Sequence, residues 1–296
     1  MKIIECVPNV SEGRDQQKID AIAEKISRTP GVKLLDVCVD RDHHRSVFTF
    51  IGLPEDVVRA ALTALTGALD GIDMREHRGV HPRIGAVDVV PFVPLKGAVM
   101  NDAVEAAHRF GYAFGEKNGV PVYFYGEAAL IPRRRELPDI RRGGYEGLKA
   151  RMEDPQWKPD AGPAAFHPKS GATAVGARQP LIAFNVNLKT DDLGAAREIA
   201  RKVRFSSGGL RHVKAIGVPL KSRNIVQVSM NLTNFRETSV CAVFDAVKEE
   251  ASKRGVAILE SELVGLIPEA ALEGVSADDL RLSDFREECI IETHLP

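Results

Sequence analysis

The sequence has no apolar run that approaches the roughly 18 residues needed to cross a membrane, so it predicts no membrane span. It also lacks an excess of charge of either sign, because 40 basic residues face 41 acidic ones and the formal net charge is −1. This balance gives no global signal for binding nucleic acid or an acidic membrane surface. Any recognition of anions must therefore come from local clusters of basic side chains.

Signals for export and for disulfide bonding are missing as well. The first six residues contain only a very short apolar run and no small-residue cleavage site, so we expect no signal peptide. Cys6, Cys38, Cys241 and Cys289 are scattered and include no C-x-x-C pair. They are expected to be reduced thiols in a cytoplasmic protein.

One pattern of hydrophobic spacing occurs twice along the 296 residues. Each half reads β-α-β-β-α-β, the ferredoxin-like arrangement, and an extra helix (102–117) and strand (120–125) extend the first half. The pattern predicts an α+β fold of two ferredoxin-like subdomains, with their sheets packed against each other and the helices outside. The predicted domains are residues 1–179 and 180–296.

The segment between the two repeats, residues 126–179, is rich in Arg, Pro and Gly and shows poor hydrophobic periodicity. In a compact protein a segment of about 50 residues without clear periodicity is usually functional. We therefore expect part of it to bind a ligand. The alternative is a solvated linker with a charged helix near residues 145–152.

Residues 77–88, which read HRGVHPRIGAVD, carry the strongest chemical signal in the chain. Two histidines, two arginines and an acid surround a glycine and a proline just before an apolar strand-like run. Loops held by a rigid scaffold often carry chemistry. An imidazole there can exchange protons near neutral pH, and guanidinium groups can hold anions. The segment predicts the catalytic loop of a group-transfer enzyme with an anionic substrate.

Five motifs in a fixed order make the chain resemble the formiminotransferase domain family. They are residues 5–13 (ECVPNVSEG), 77–88, 121–129 (PVYFYGEAA), 162–173 (GPAAFHPKSGAT) and 182–188 (IAFNVNL). The resemblance covers nearly the whole chain and implies a homodimeric transferase with a cleft between two α/β subdomains. Such an enzyme transfers the formimino group from N-formimino-L-glutamate to N5 of tetrahydrofolate, which gives 5-formiminotetrahydrofolate and L-glutamate in histidine breakdown.

The same resemblance implies tetrahydrofolate as a cosubstrate. Some relatives carry a fused cyclodeaminase domain. We expect this chain to lack that second activity and to need a separate cyclodeaminase downstream.

The family's catalytic histidine falls on His81, which would take a proton from N5 and return it to the departing nitrogen of glutamate. The alternative is a histidine that only stabilises its loop. His77 and His81 have a spacing that suits a metal on a helix, but Gly79 and Pro82 indicate a loop, so we predict no metal site. His77 is expected to support the loop.

Asp40 is a candidate to orient His81 or to contact the amine edge of the pterin. The family carries its acid two positions earlier, where this chain has Cys38. Because residues 38 and 40 share one face of a strand, the displaced acid can serve. The alternative is an ordinary turn acid.

Substrate-binding residues are expected on both sides of the loop. Guanidinium forks suit the carboxylates of the substrates, and our candidates are Arg45, Arg78 and Arg83, each of which has a surface arginine as its alternative. The resemblance implies that residues 162–171 bind folate, through Gly162, Pro163, Phe166, His167, Lys169 and Gly171. Arg133, Arg134 and Arg135 are candidates for a polyglutamate tail or, alternatively, a solvated charged face.

Two rival functions stay open from the sequence. One is formyl transfer between N-formylglutamate or 5-formyltetrahydrofolate and its partner. The other is a non-catalytic module that binds folate or another anion.

Overall fold

The computed structural model describes residues 1–296, and the chain divides into two units, Met1–Arg178 and Gln179–Pro296. Each unit is built on one β-sheet with helices against it, so the predicted α+β class is confirmed. No helix combines the length and the apolar character that spanning a membrane requires.

The first unit contains a seven-stranded sheet. Its strands are β1 (Ile4–Cys6), β2 (Asn9–Val10), β3 (Val32–Asp40), β4 (Arg45–Gly52), β5 (Val87–Pro94), β6 (Val122–Gly126) and β7 (Thr173–Ala177). β1 and β2 both lie between β4 and β5, and β3 pairs with the other edge of β4. This order is that of a ferredoxin-like sheet, extended by β7 and β6 beyond β5.

The first strand of the β-α-β-β-α-β pattern is divided into β1 and β2 in the structure. The break falls at Pro8, which has no N–H to donate to a ladder. The chain stays attached to the sheet there, because the Val7 N–H donates to the Pro91 carbonyl (3.1 Å) and the Phe48 N–H donates to the Pro8 carbonyl (3.1 Å).

Three helices cover one face of this sheet: α1 (Gln16–Ser27), α2 (Pro54–Gly71) and α3 (Met100–Asn118). α1 begins where the Asp15 carboxylate accepts hydrogen bonds from the N–H groups of Gln17 and Lys18. Ile19, Ile22 and Ile26 are buried along its inner side, which is the helical spacing that predicted it.

The connector, residues 126–179, is better ordered than its sequence indicated. It contains α4 (Leu137–Arg141), α5 (Gly144–Met152) and the unpredicted strand β7. β7 pairs in parallel with both β5 and β6. Parallel neighbours need a long crossover connection, which accounts for the length of this segment. The strand lacked a hydrophobic signal because its residues are small; a Cβ on Gly176 would lie 2.5 Å from the ring of Tyr125.

The second unit contains an antiparallel sheet of four strands: β8 (Ile182–Leu188), β9 (Val213–Leu220), β10 (Ile225–Leu232) and β11 (Ile258–Val264). Their order, β11-β8-β10-β9, is again ferredoxin-like. α6 (Leu193–Val203) and α7 (Val240–Ser252) pack with the apolar side chains of β8 and β10. Alternate residues, among them Asn187 and Gln227, form a hydrogen-bonded polar face on the other side.

The loop before β5 and the segment before β7 cross at Gly85 and Gly171, a contact that we call the glycine crossing. The Ala86 N–H donates to the Ser170 carbonyl (2.8 Å), and the Ala172 N–H donates to the Ile84 carbonyl (3.0 Å). A Cβ on Gly85 would lie 2.1 Å from the carbonyl oxygen of Ala172, and one on Gly171 would lie 2.1 Å from that of Ile84. Gly171 also has a φ of +69°, which disfavours any side chain.

We therefore expect Gly171→Ala to lower the free energy of unfolding by at least about 2 kcal/mol, measured by urea denaturation. Gly147→Ala is the matched control, because Gly147 lies within α5 with no heavy atom within 4 Å of an added Cβ. That change should leave stability unchanged or raise it by up to about 1 kcal/mol. Equal effects of the two substitutions would show that the crossing imposes no constraint.

Candidate active site

The loop predicted to be catalytic lies between α2 and β5 and rests on the tight turn between β3 and β4, residues 41–44. The Val80 N–H donates to the Asp42 carbonyl (3.4 Å), and a Cβ on Gly79 would lie 2.3 Å from the His43 carbonyl oxygen. The contact gathers four histidines from two separate segments. They line a small, partly open cavity, whose lining residues are Ser11, His43, His44, Arg45, His77, His81, Arg83 and Asp88.

His81 is a neutral base in this arrangement. Arg45 Nη1 donates to its Nε2 (2.9 Å), and its Nδ1 lies 2.8 Å from the Pro82 carbonyl oxygen. A guanidinium cannot accept a hydrogen bond and a carbonyl cannot donate one, so only the neutral tautomer with a proton on Nδ1 satisfies both contacts. Burial lowers the pKa of His81 well below its ordinary value, and the charges of Arg45, Arg141 and His43 act in the same direction.

His44 and His77 stack with their ring centroids 4.2 Å apart, yet their hydrogen-bond partners differ. His44 Nδ1 lies 3.1 Å from the Arg78 carbonyl oxygen and its Nε2 lies 3.2 Å from the Glu12 carboxylate, so both of its ring nitrogens face acceptors. His77 accepts at Nδ1 from Arg83 Nε (3.2 Å) and donates from Nε2 to the His44 carbonyl (2.9 Å). Burial lowers the pKa of His77 to about 4, which keeps this ring neutral.

Glu12, in the first motif of the chain, anchors the stacked pair. Its Oε1 accepts from the backbone N–H groups of Gly13 (3.0 Å), Arg14 (2.9 Å) and Asp15 (3.1 Å). Burial alone would raise the pKa of Glu12, but the hydrogen bonds from His44 and from the Arg14 and Asp15 amides lower it well below its ordinary range. Glu12 is therefore ionised and offers His44 a charged hydrogen-bond acceptor.

Arg45 is the one predicted arginine that contacts His81. Arg83 is already paired, because its Nη1 and Nη2 donate to the two carboxylate oxygens of Glu146 (3.0 and 2.7 Å). Arg78 is exposed and donates to two carbonyls of its own loop, those of Arg75 (3.0 Å) and His77 (2.7 Å).

Asp40 contacts His43 rather than His81. Its Oδ1 accepts from the His43 backbone N–H (2.7 Å), and its Oδ2 lies 3.5 Å from His43 Nδ1. The His43 ring centroid is in turn 5.5 Å from that of His81. His43 therefore stands between the predicted acid and the predicted base.

Several residues of the site were missed by the sequence analysis. Buried Asp88 accepts from the Ile84 N–H (2.8 Å) and pairs with Arg141 of the connector, which brings a second guanidinium near His81. Glu12 and Asp88 both lie in the quoted motifs, and His43 lies in a turn whose polar character was visible. The residues next to Arg141 in the sequence gave no indication of its role, because its partner, Asp88, is 53 residues away along the chain.

The predicted folate segment lies beside the catalytic loop through the glycine crossing. His167 Nδ1 accepts from the Ser170 N–H (3.0 Å), and Lys169 Nζ donates to the Asp70 carbonyl (2.9 Å). The half-buried Phe166 ring lies 5.6 Å from that of Tyr145. Gly162 and Pro163 are exposed, and Gly162 adopts a φ of +73°.

The suggestion that three consecutive arginines bind a polyglutamate tail fails for the middle one. Arg134 is 3% exposed and pairs with Asp160 (2.6 Å), so its charge is neutralised inside the first unit. Arg135 pairs with Glu127 (2.7 Å) at the surface.

A neutral imidazole held by a guanidinium in a ferredoxin-like unit combines a group that can exchange protons with one that can bind anions, a pairing that suits group transfer from anionic substrates. Two family models match the chain: the formiminotransferase domain, N-terminal subdomain, over residues 3–178, and the formiminotransferase domain over residues 183–280. The chain belongs to the formiminotransferase domain family.

Full-length relatives agree with this assignment. The chain is 43% identical to a glutamate formimidoyltransferase of Streptococcus pyogenes over 295 residues, which cover 99% of both chains. It is 45% identical to one of Thermoplasma acidophilum over 294 residues, which cover 99% of this chain and 97% of that one. A formimidoyltransferase-cyclodeaminase of Rattus norvegicus is 45% identical over 93% of this chain but only 52% of its own length.

The stability of the charged core of the site can be tested through Glu12. Its ionised carboxylate stabilises the fold above its unfolded-state pKa of about 4.3, and this stabilisation is lost as the pH falls towards its lower folded-state value. We expect Glu12→Gln to lower the free energy of unfolding by about 3 kcal/mol at pH 7, measured by urea denaturation. Below about pH 4, the free energies of unfolding of Glu12→Gln and of the unsubstituted protein should become more similar.

Glu116→Gln, on the exposed side of α3, is the control and should change stability by less than about 0.5 kcal/mol. A Glu12→Gln effect that stays constant down to pH 3 would contradict the ionised state that we assign.

Proposed function

We propose that this protein transfers the formimino group from N-formimino-L-glutamate to N5 of tetrahydrofolate, which gives 5-formiminotetrahydrofolate and L-glutamate. Family membership and the names of the full-length relatives support this function. The observation that carries the mechanism is the neutral His81 ring, whose Nε2 lone pair is turned to Arg45.

The proton movements fit one imidazole. N5 of the folate attacks the amidine carbon, a C–N bond forms, and N5 must release a proton. His81 Nε2 takes that proton and then gives it to the glutamate nitrogen as the second C–N bond breaks. The ring returns to its neutral form, so no proton is gained or lost over the cycle.

Arg45 has to leave Nε2 before His81 can accept a proton. A substrate carboxylate is a better partner for a guanidinium than a neutral imidazole is, since both of its oxygens can accept. We assign Arg45 to a carboxylate of formiminoglutamate, so that binding of the donor uncovers the base. Arg78, exposed on the loop, is assigned to a second carboxylate, while Arg83 keeps the loop in place through Glu146.

Residues 162–171 are assigned to the folate. The segment is tied to the catalytic loop by the backbone bonds around Gly85 and Gly171, and it presents the exposed Gly162 and Pro163 together with Phe166. Glycine and proline can bring the backbone close to the pterin, while an aromatic ring can cover its face. His167 and Lys169 hold the segment in shape. A homodimer located in the cytoplasm belongs to the same proposal.

Replacing His81 by Asn should lower kcat by about 100- to 10,000-fold, because the base is removed, while tetrahydrofolate affinity stays within several-fold. Steady-state kinetics and calorimetric titration measure the two quantities. In the unsubstituted enzyme, kcat/KM should start to fall on the acid side only well below pH 6.5, the ordinary midpoint of histidine. Retained turnover in His81→Asn would contradict the assigned proton transfer.

The alternative donors can be compared directly. With tetrahydrofolate as acceptor, we expect N-formimino-L-glutamate to give a higher kcat/KM than N-formyl-L-glutamate, because the protonated amidine needs no donor for a developing oxyanion. Equal turnover of both would favour a general one-carbon transferase. Binding of both without turnover would favour the non-catalytic module.

A further inference from the structure

His43 is an unusual residue for the centre of a polar site. It is 1% exposed, and neither of its ring nitrogens has a hydrogen-bond partner. Its backbone is fixed, because its N–H donates to Asp40 Oδ1 (2.7 Å) in the turn between β3 and β4. Buried polar groups are nearly always paired, so an unpaired buried imidazole calls for an explanation.

The groups around His43 come from three parts of the chain. Asp40 at the end of β3 places Oδ2 3.5 Å from its Nδ1, and His81 of the catalytic loop lies 5.5 Å away between ring centroids. Asp42 in the same turn and Arg45 at the start of β4 are the other charges that act on it. Arg141 of α4 acts on His81 from another direction.

We propose that His43 is a positioning residue for His81 and that Asp40 reaches His81 only through it. A small approach of Asp40 Oδ2 to Nδ1 would complete a carboxylate–imidazole hydrogen bond and fix a proton on Nδ1. Nε2 is then the one ring nitrogen of His43 that is left without a hydrogen bond. The kinetic part of this inference rests on the proposed function; its structural part does not.

His43 then controls how readily His81 holds a proton. Burial lowers the pKa of His43, whereas the charge of Asp40 raises it and that of Arg45 lowers it. Two imidazoles this close cannot both be charged without repulsion, so they titrate as a coupled pair. Removing His43 removes that repulsion and favours the protonated form of His81.

The first test needs no substrate. Nitrogen NMR of the full-length protein with labelled histidine follows the titration of His81, which His81→Asn identifies. His43→Asn should raise the His81 midpoint by up to about 1 pH unit. Asp40→Asn should also raise the His81 midpoint. Without the Asp40 charge the pKa of His43 falls, so a charged His43 ring repels the protonated form of His81 less often. Asp40→Asn also serves as the probe should His43→Asn fail to fold.

His212→Gln is the matched control for this titration. His212 also lies beside a carboxylate, with its Nε2 3.0 Å from Glu237 Oε2, but it belongs to the second unit and is outside the site. It should leave the His81 midpoint unchanged. A His81 midpoint that is also unchanged by His43→Asn and Asp40→Asn would overturn the proposal.

The second test is a double-mutant cycle in the transfer reaction. His43→Asn should lower kcat by about 10- to 100-fold, and Asp40→Asn by a smaller factor, with KM for formiminoglutamate nearly constant. The double variant should be no slower than His43→Asn alone, and the acid limb of kcat/KM should move to higher pH in all three. If the fold-decreases in kcat of the two single variants multiply in the double variant, Asp40 acts independently of His43 and the proposal is overturned.

If the unsubstituted protein transferred no formimino group, the proposed function would fail, while the NMR titration would still decide the role of His43.

Discussion

The proposed chemistry of the site depends on the hydrogen bond from Arg45 to Nε2 of His81. With the Pro82 carbonyl on the other side of the ring, it leaves His81 a single tautomer and no free lone pair. A proton on that ring would face the charges of Arg45 and Arg141. The ring is thus neutral and its lone pair is covered, and in the proposed function an anion that attracts Arg45 uncovers it. In that proposal, substrate binding is a condition for proton transfer.

Four histidines lie close together in the site and differ in their hydrogen-bond partners. His44 faces two acceptors, while His77 and His81 each face one donor and one acceptor and are neutral. His43 has no hydrogen bond from its ring. The same side chain therefore has a different environment at each position of one cluster.

Backbone hydrogen bonds connect the segments beneath the site. Glu12 collects three amide protons, and the crossing of Gly85 and Gly171 allows two chain segments to exchange hydrogen bonds at a distance that no side chain would tolerate. These contacts tie the catalytic loop to the predicted folate segment. Within the loop His77 and Ile84 are buried, whereas Arg78 and Pro82 are exposed.

Local pattern was enough to predict most of the secondary structure and the duplicated ferredoxin-like arrangement, because periodicity is a property of neighbouring residues. The catalytic role of residues 77–88 stays a prediction. Strand β7 was not predicted, because its small residues show no hydrophobic periodicity and because it forms by pairing with β5 and β6. The partners of Asp40, Arg83 and Arg134 were likewise settled by the tertiary structure. A side chain's burial and the charges beside it depend on residues far away in the chain, and these set its pKa and its hydrogen bonds. The sequence therefore determined which chemical groups are present, whereas the fold decided which of them meet.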